Sequence, residues 1–259
     1  MPLTYGDKVR GLRDLESFRK EAFVGDRECP QAVCNLVLAL ALLHNDMNDI
    51  YLGLELLADA PPTPPLRRSK EWALHNALGL HLVRQRAGCV HEMIALVRDN
   101  LSVLTEPYFV STYRTLSSKQ RDSWDVIVTV ARDKPKDTPL GKALLLMRNK
   151  IAFHYDAARI GQGYLKLLEE YPNEPALLCR GTNAHETRFC FADAAAETAL
   201  FIQEDFEVAK GLAFGNNKIF DDLNLAIYHL VTKFILRRGG SFRAYSDDGT
   251  IPLPSVGTD

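Results

Sequence analysis

Residues 147–156 read Met-Arg-Asn-Lys-Ile-Ala-Phe-His-Tyr-Asp, gathering a guanidinium, an amide, an imidazole and a phenol in one short stretch. An imidazole titrates near neutral pH, so His154 can give or take a proton during a reaction. Arg148 keeps its charge and offers a planar fork that suits phosphate oxygens. Asn149 can hold another oxygen or orient Arg148, and Tyr155 adds a phenol next to the imidazole. These residue types suit proton transfer beside a stabilised anion, and that chemistry needs no metal or other cofactor.

A helix has to position them. Leu140, Leu144, Met147 and Ile151 recur at steps of four, three and four, the spacing of a buried helical stripe. At about 100° per residue, Arg148 and His154 lie about 120° apart and flank that stripe on opposite sides. Tyr155 projects beside Arg148, and Asn149 points away. One regular helix therefore does not assemble all four groups. Either the helix unwinds near residues 152–154, or the site combines residues of two chains.

Arg148-Asn149 followed by His154 resembles the signature of the HEPN superfamily, helical bundles that include many ribonucleases. In these an arginine and a polar residue precede a histidine at this kind of spacing, and Tyr155 is similar to a feature of some of its nucleases. The resemblance implies a metal-independent endoribonuclease acting on an RNA substrate. It assigns His154 as general acid or base, Arg148 as phosphate stabiliser, and Asn149 and Tyr155 as support. It implies a homodimer with a composite cleft, in which Arg148 of one chain approaches His154 of the other across a two-fold axis. It also implies a role as a toxin or in phage defence, with an antitoxin or regulatory protein as partner. The competing reading is a non-catalytic helical protein that dimerises through the same stripe and binds a protein or RNA. In that reading Arg148 and His154 simply border an apolar seam.

A second polar band, His44-Asn45-Asp46-Met47-Asn48-Asp49, interrupts an otherwise apolar segment. His44, Asn45, Asn48 and Asp49 are expected to line the cleft and orient the catalytic histidine; the plainer reading is satisfied hydrogen bonds between helices. His75, His81, His91 and Glu92 do not align on one face, and a metal site is not expected. Gly161-Gln162-Gly163 reads as a bend or a close helix contact rather than a phosphate loop. Asn183, His185, Glu186 and Arg188 read as turn residues. Tyr108, Phe109 and Tyr113 read as core.

The 259 residues, 46% hydrophobic and 25% charged, are those of an ordinary globular protein with a sizeable core. A net charge of -2 gives no general field for nucleic acid. Five scattered cysteines without a C-x-x-C pair read as reduced thiols in a cytoplasmic protein. No signal peptide or membrane span is expected.

The expected fold class is all-α, a helical bundle with a small β-hairpin near 177–192. One domain spans 1–240, followed by a flexible tail, 241–259. Helices are expected at 7–24, 30–57, from a Ser69 cap to 100, 106–116, 118–131 with a Ser118 cap, 139–170, 194–214 and 218–238, the last closed by Gly239. Five residues at 61–65, Pro-Pro-Thr-Pro-Pro, form a stiff connector between two of them.

Overall fold

Apolar residues at helical spacing, punctuated by proline and glycine, govern the element order of the computed structural model. It describes residues 16–59, 69–133, 157–174, 176–180, 187–201 and 218–244. Among these the chain is all-α. The helices are α1 (Gln31–Asp59), α2 (Lys70–Asp99), α3 (Pro107–Tyr113), α4 (Ser118–Arg132), α5 (Ala157–Glu170), α6 (Cys190–Phe201) and α7 (Lys218–Arg237). The two-residue strands β1 (Glu16–Ser17) and β2 (Arg243–Ala244) pair antiparallel.

The core is a bundle of α1, α2, α4 and α7. On α1, Val33, Leu36, Val37, Leu40, Leu43, Met47 and Ile50 are buried at steps of three and four. Met93 and Val97 of α2, Trp124 and Ile127 of α4, and Leu223, Ile227 and Phe234 of α7 join the same cluster. Each such side chain withdrawn from water contributes about 1.5–3 kcal/mol. Phe109 packs on Trp124 and Tyr108 on Phe234, so these aromatics are core as expected. The Tyr113 hydroxyl donates to Asp125.

Local chemistry sets the helix ends. The Ser69 hydroxyl accepts the Trp72 N–H at 3.1 Å and starts α2, which runs unbroken through Gly79 and Gly88. Pro107 sits in the first turn of α3, where its missing N–H costs nothing. Gly239, at φ 75°, ends α7. Its N–H bonds the Leu236 carbonyl and the Gly240 N–H bonds that of Ile235, the double closure that a left-handed residue permits.

α5 and α6 form a second unit. They pack closely on each other, and α6 reaches the bundle chiefly through α2. Gly163 is where the two backbones meet, because a Cβ there would collide with the Ala195 carbonyl and with Ala199. The glycine pair is thus a helix contact, made by Gly163 alone; a Cβ at Gly161 would meet nothing within 4 Å.

Several expectations change. The helix expected at 7–24 does not form over its described part, which holds β1 and a 3-10 turn, Lys20–Phe23. The Arg238 guanidinium, 11% exposed, donates to the carbonyls of Ala22 and Val24 and to Asp26, and ties this segment to the end of α7. Phe18 and Phe23 pack on Phe242 and Phe234 rather than along one helix face. The cap of α4 is Ser117, not Ser118. Ser117 and Gln120 exchange side-chain and backbone hydrogen bonds, so Ser-x-x-Gln was the signal. Among the described residues of the hairpin expected near 177–192 there is one antiparallel bridge, Cys179 to Arg188, and Cys190 and Phe191 already belong to α6. Arg188 grips Asp193 in the first turn of α6 with two hydrogen bonds, 2.8 and 3.0 Å, which starts that helix before residue 194. At the start of the expected tail, β2 pairs with β1 and Phe242 packs on Phe18. The prolines of 61–65, the stripe at 140–151, and residues 183, 185 and 186 lie outside the described residues.

Candidate functional site

Arg148, Asn149, His154 and Tyr155 also lie outside the described residues. Their expected support does not. His44, Asn45, Asn48 and Asp49 occupy successive turns of α1, and the structure separates them into two pairs. Asn45, Asn48 and Asp49 are exposed and His44 is half-buried; among the described residues Asn45 and Asp49 show no contact with α7. His44 and Asn48 face α7 and close a ring of hydrogen bonds with Asn224. His44 Nδ1 lies 2.5 Å from Asn224 Oδ1, Asn48 Nδ2 lies 3.0 Å from His44 Nε2, and Asn224 Nδ2 donates to Asn48 Oδ1 at 2.7 Å.

With the two amides oriented in this way, the ring has one consistent assignment of protons. With Asn48 Oδ1 accepting from Asn224, the Asn48 amide donates to His44 Nε2, and His44 Nδ1 carries the hydrogen. The imidazole is therefore neutral, with both nitrogens occupied. A second proton, on Nε2, would face the hydrogens of the Asn48 amide. Burial depresses the His44 pKa below 6.5, against the opposing effect of the Asn224 hydrogen bond. Tyr228 packs on the ring at 5.9 Å between centroids. His44 and Asn48 thus lock α1 to α7. Asn224 carries no signal in its own neighbourhood, since it reads as one more polar position on an amphipathic helix.

A cleft of 810 Å³ opens between α5, α6 and the first turn of α2. Trp72, Tyr164, Tyr171 and Phe191 give it four aromatic walls, and Leu167 and Leu168 add aliphatic surface. Tyr164 and Phe191 meet edge to face at 6.4 Å. Among the described residues Glu170, Glu174, Glu197 and one amine, Lys166, line it. Glu197 accepts from Asn76 at 3.2 Å, and Lys166 approaches Glu170 at 3.8 Å. The volume is that of a small-molecule site, apolar with a few polar groups. Sequence reasoning missed it because its walls come from three segments far apart in the chain, each an ordinary amphipathic surface. Tyr164 is one of those walls.

Cys190 lines the same cleft, and its sulfur lies 3.7 Å from that of Cys179. Burial, followed by the hydrogen bond to Cys179, raises the Cys190 pKa, so its thiol is protonated near neutral pH. All five cysteines are free. Among the described residues no group of histidine, cysteine and carboxylate side chains is arranged to hold a metal, and no helix is long and apolar enough to cross a membrane. No protein-family model, curated protein or solved structure matches this chain.

Proposed function

We propose that this chain is a metal-independent endoribonuclease of the HEPN type. The observation that carries the reading is Arg148-Asn149 followed by His154-Tyr155 in a chain that folds as helices. In the reaction the 2′-hydroxyl of RNA attacks the adjacent phosphorus and the 5′-oxygen leaves. The products are a 2′,3′-cyclic phosphate and a 5′-hydroxyl end. His154 moves the proton at one of these oxygens, and Arg148 stabilises the charge on the phosphorane. The active form is a homodimer in the cytoplasm, because one helix alone keeps Arg148 and His154 apart. A toxin or phage-defence role with a regulatory partner follows from the same resemblance.

The test uses purified protein and end-labelled single-stranded RNA in excess EDTA. Cleavage should leave cyclic phosphate ends. His154→Ala should lower the rate by about 10²–10⁴-fold, the usual contribution of one acid or base. Equal cleavage by wild type and variant would sink the assignment.

A second reading, a binding protein without catalysis, is favoured by the aromatic cleft. Among its described lining residues are three carboxylates and one amine, a balance that does not suit a polyanion such as RNA. In that reading wild-type protein leaves RNA intact under every condition while the cleft still takes a ligand.

A further inference from the structure

We infer that Cys179 and Cys190 form a site of thiol–disulfide exchange, which reacts with a small dialkyl disulfide and closes into a reversible intramolecular bond at the rim of the cleft. Two features of this corner of the fold carry the inference. The first is that the chain is already fastened on both sides of the thiols. Cys179 and Arg188 exchange backbone hydrogen bonds of 2.8 and 2.7 Å, and the Phe191 N–H donates to the Leu177 carbonyl at 2.9 Å. Arg188 in turn grips Asp193 in the first turn of α6. Between these ties the Cys190 thiol donates to Cys179, sulfur to sulfur at 3.7 Å. A disulfide needs about 2.04 Å, and rotation about the two Cα–Cβ bonds can close a gap of that size.

The second feature is access. Cys190 lines the cleft, and both residues are half-buried, so a small disulfide reaches them. Cys29 and Cys34 stand equally close, at 3.7 Å, yet they are 0% and 1% exposed in the main core. They form an internal control, with the same proximity and no access. The exchange balances within its reactants. Burial, then the Cys179 contact, keeps the Cys190 thiol protonated, so Cys179 loses its proton and attacks first. A mixed disulfide forms on Cys179, and one small thiolate leaves and takes up a proton. Cys190 then gives its proton to solvent and attacks the Cys179 sulfur, expelling the second small thiolate, which is protonated in turn. Two protein thiols are oxidised by two electrons, and one small disulfide is reduced to two thiols. The new bond ties the segment of Leu177 to that of Phe191, both walls of the cleft.

The inference goes beyond the ribonuclease reading and uses none of residues 147–156. The full-length protein is equilibrated with excess oxidised glutathione, quenched with acid, unfolded, alkylated with iodoacetamide and digested for mass mapping. It should lose two of its five free thiols. The new bond should join Cys179 to Cys190 and reopen in dithiothreitol, while Cys29 and Cys34 stay open to alkylation. The oxidised form should melt a few degrees above the reduced one, as a cross-link restricts the unfolded chain. Cys190→Ser should retain one glutathione on Cys179, because no second thiol is there to expel it. Survival of all five thiols in the wild type, glutathione adducts there without an internal bond, or a Cys29–Cys34 bond formed as readily overturns the proposal.

Discussion

Two pairs of thiols lie at the same sulfur–sulfur distance, 3.7 Å, in opposite surroundings. Cys29 and Cys34 are buried at the foot of α1, in the main apolar cluster. Cys179 and Cys190 sit half-buried beside the cleft, where a bridge of two hydrogen bonds joins residue 179 to 188. The contrast extends to the units around them. The bundle of α1, α2, α4 and α7 closes on residues with no exposure, such as Leu40, Ile127, Ile227 and Phe234. The α5–α6 unit places Leu168 and Phe191, both exposed, on the open cleft. Proximity is equal in the two units, whereas access and packing are not. A binding surface belongs with the second kind of region, because exposed apolar side chains that the fold leaves uncovered can still be buried by a guest.

Thiol labelling should break this comparison or bear it out most sharply. Burial, then the neighbouring Cys34, pushes the Cys29 pKa up to about 12, and both Cys29 and Cys34 need the bundle to open before a reagent arrives. Iodoacetamide followed by peptide mass analysis should modify Cys179 and Cys190 at least about 10³-fold faster than Cys29 and Cys34, as expected where global stability of 5–15 kcal/mol limits opening. Comparable rates would mean that the bundle is no better closed than the cleft.

Gly161 and Gly163 offer a smaller and more local test. Gly163→Ala forces a methyl into the Ala195 carbonyl and should destabilise the α5–α6 contact by about 1–3 kcal/mol. Gly161→Ala meets open space and should stabilise α5 by up to about 1 kcal/mol, the ordinary helix preference for alanine. Thermal unfolding with limited proteolysis across residues 157–201 distinguishes the two. Equal effects of the same sign would mean that the helices do not meet at Gly163.

The smallest effect concerns His44, on the bundle side. Its folded-state pKa is depressed, so the unfolded chain binds the proton more readily. The stabilisation is complete above 6.5, the ordinary value, and is lost as pH falls through the folded-state value. Denaturant midpoints measured from pH 7.5 to 5 should therefore fall more for wild type than for His44→Gln. Parallel curves would show that the ring with Asn48 and Asn224 does not hold the neutral form.

Much of the helical frame was legible because its causes are local. The stripe of α1, the Ser69 cap, Pro107 in a first turn and Gly239 past a last turn each depend on residues within a few positions. The start of the chain was misread for the opposite reason. A helix was expected there, but the described part takes another form and is held to Arg238 and Phe234, more than two hundred positions away. The stretch at 147–156 was legible only as residue types and spacing. Whether Arg148 and His154 share a cleft depends on a helix break or a second chain, and neither is a local property.

By itself, then, the amino-acid order determined most of the helical segments and which of their faces are apolar, and it gathers Arg148, Asn149, His154 and Tyr155 in one stretch. Those outcomes follow from 3.6-residue periodicity, proline and glycine geometry, and intrinsic side-chain chemistry. Only the tertiary structure decided that His44 is bound between Asn48 and Asn224, that Gly163 rather than Gly161 is the contact, and that Trp72, Tyr171 and Phe191 surround one acidic cleft. Each depends on which helix face meets which neighbour, a choice made by the packing of all the stripes together rather than by any one of them.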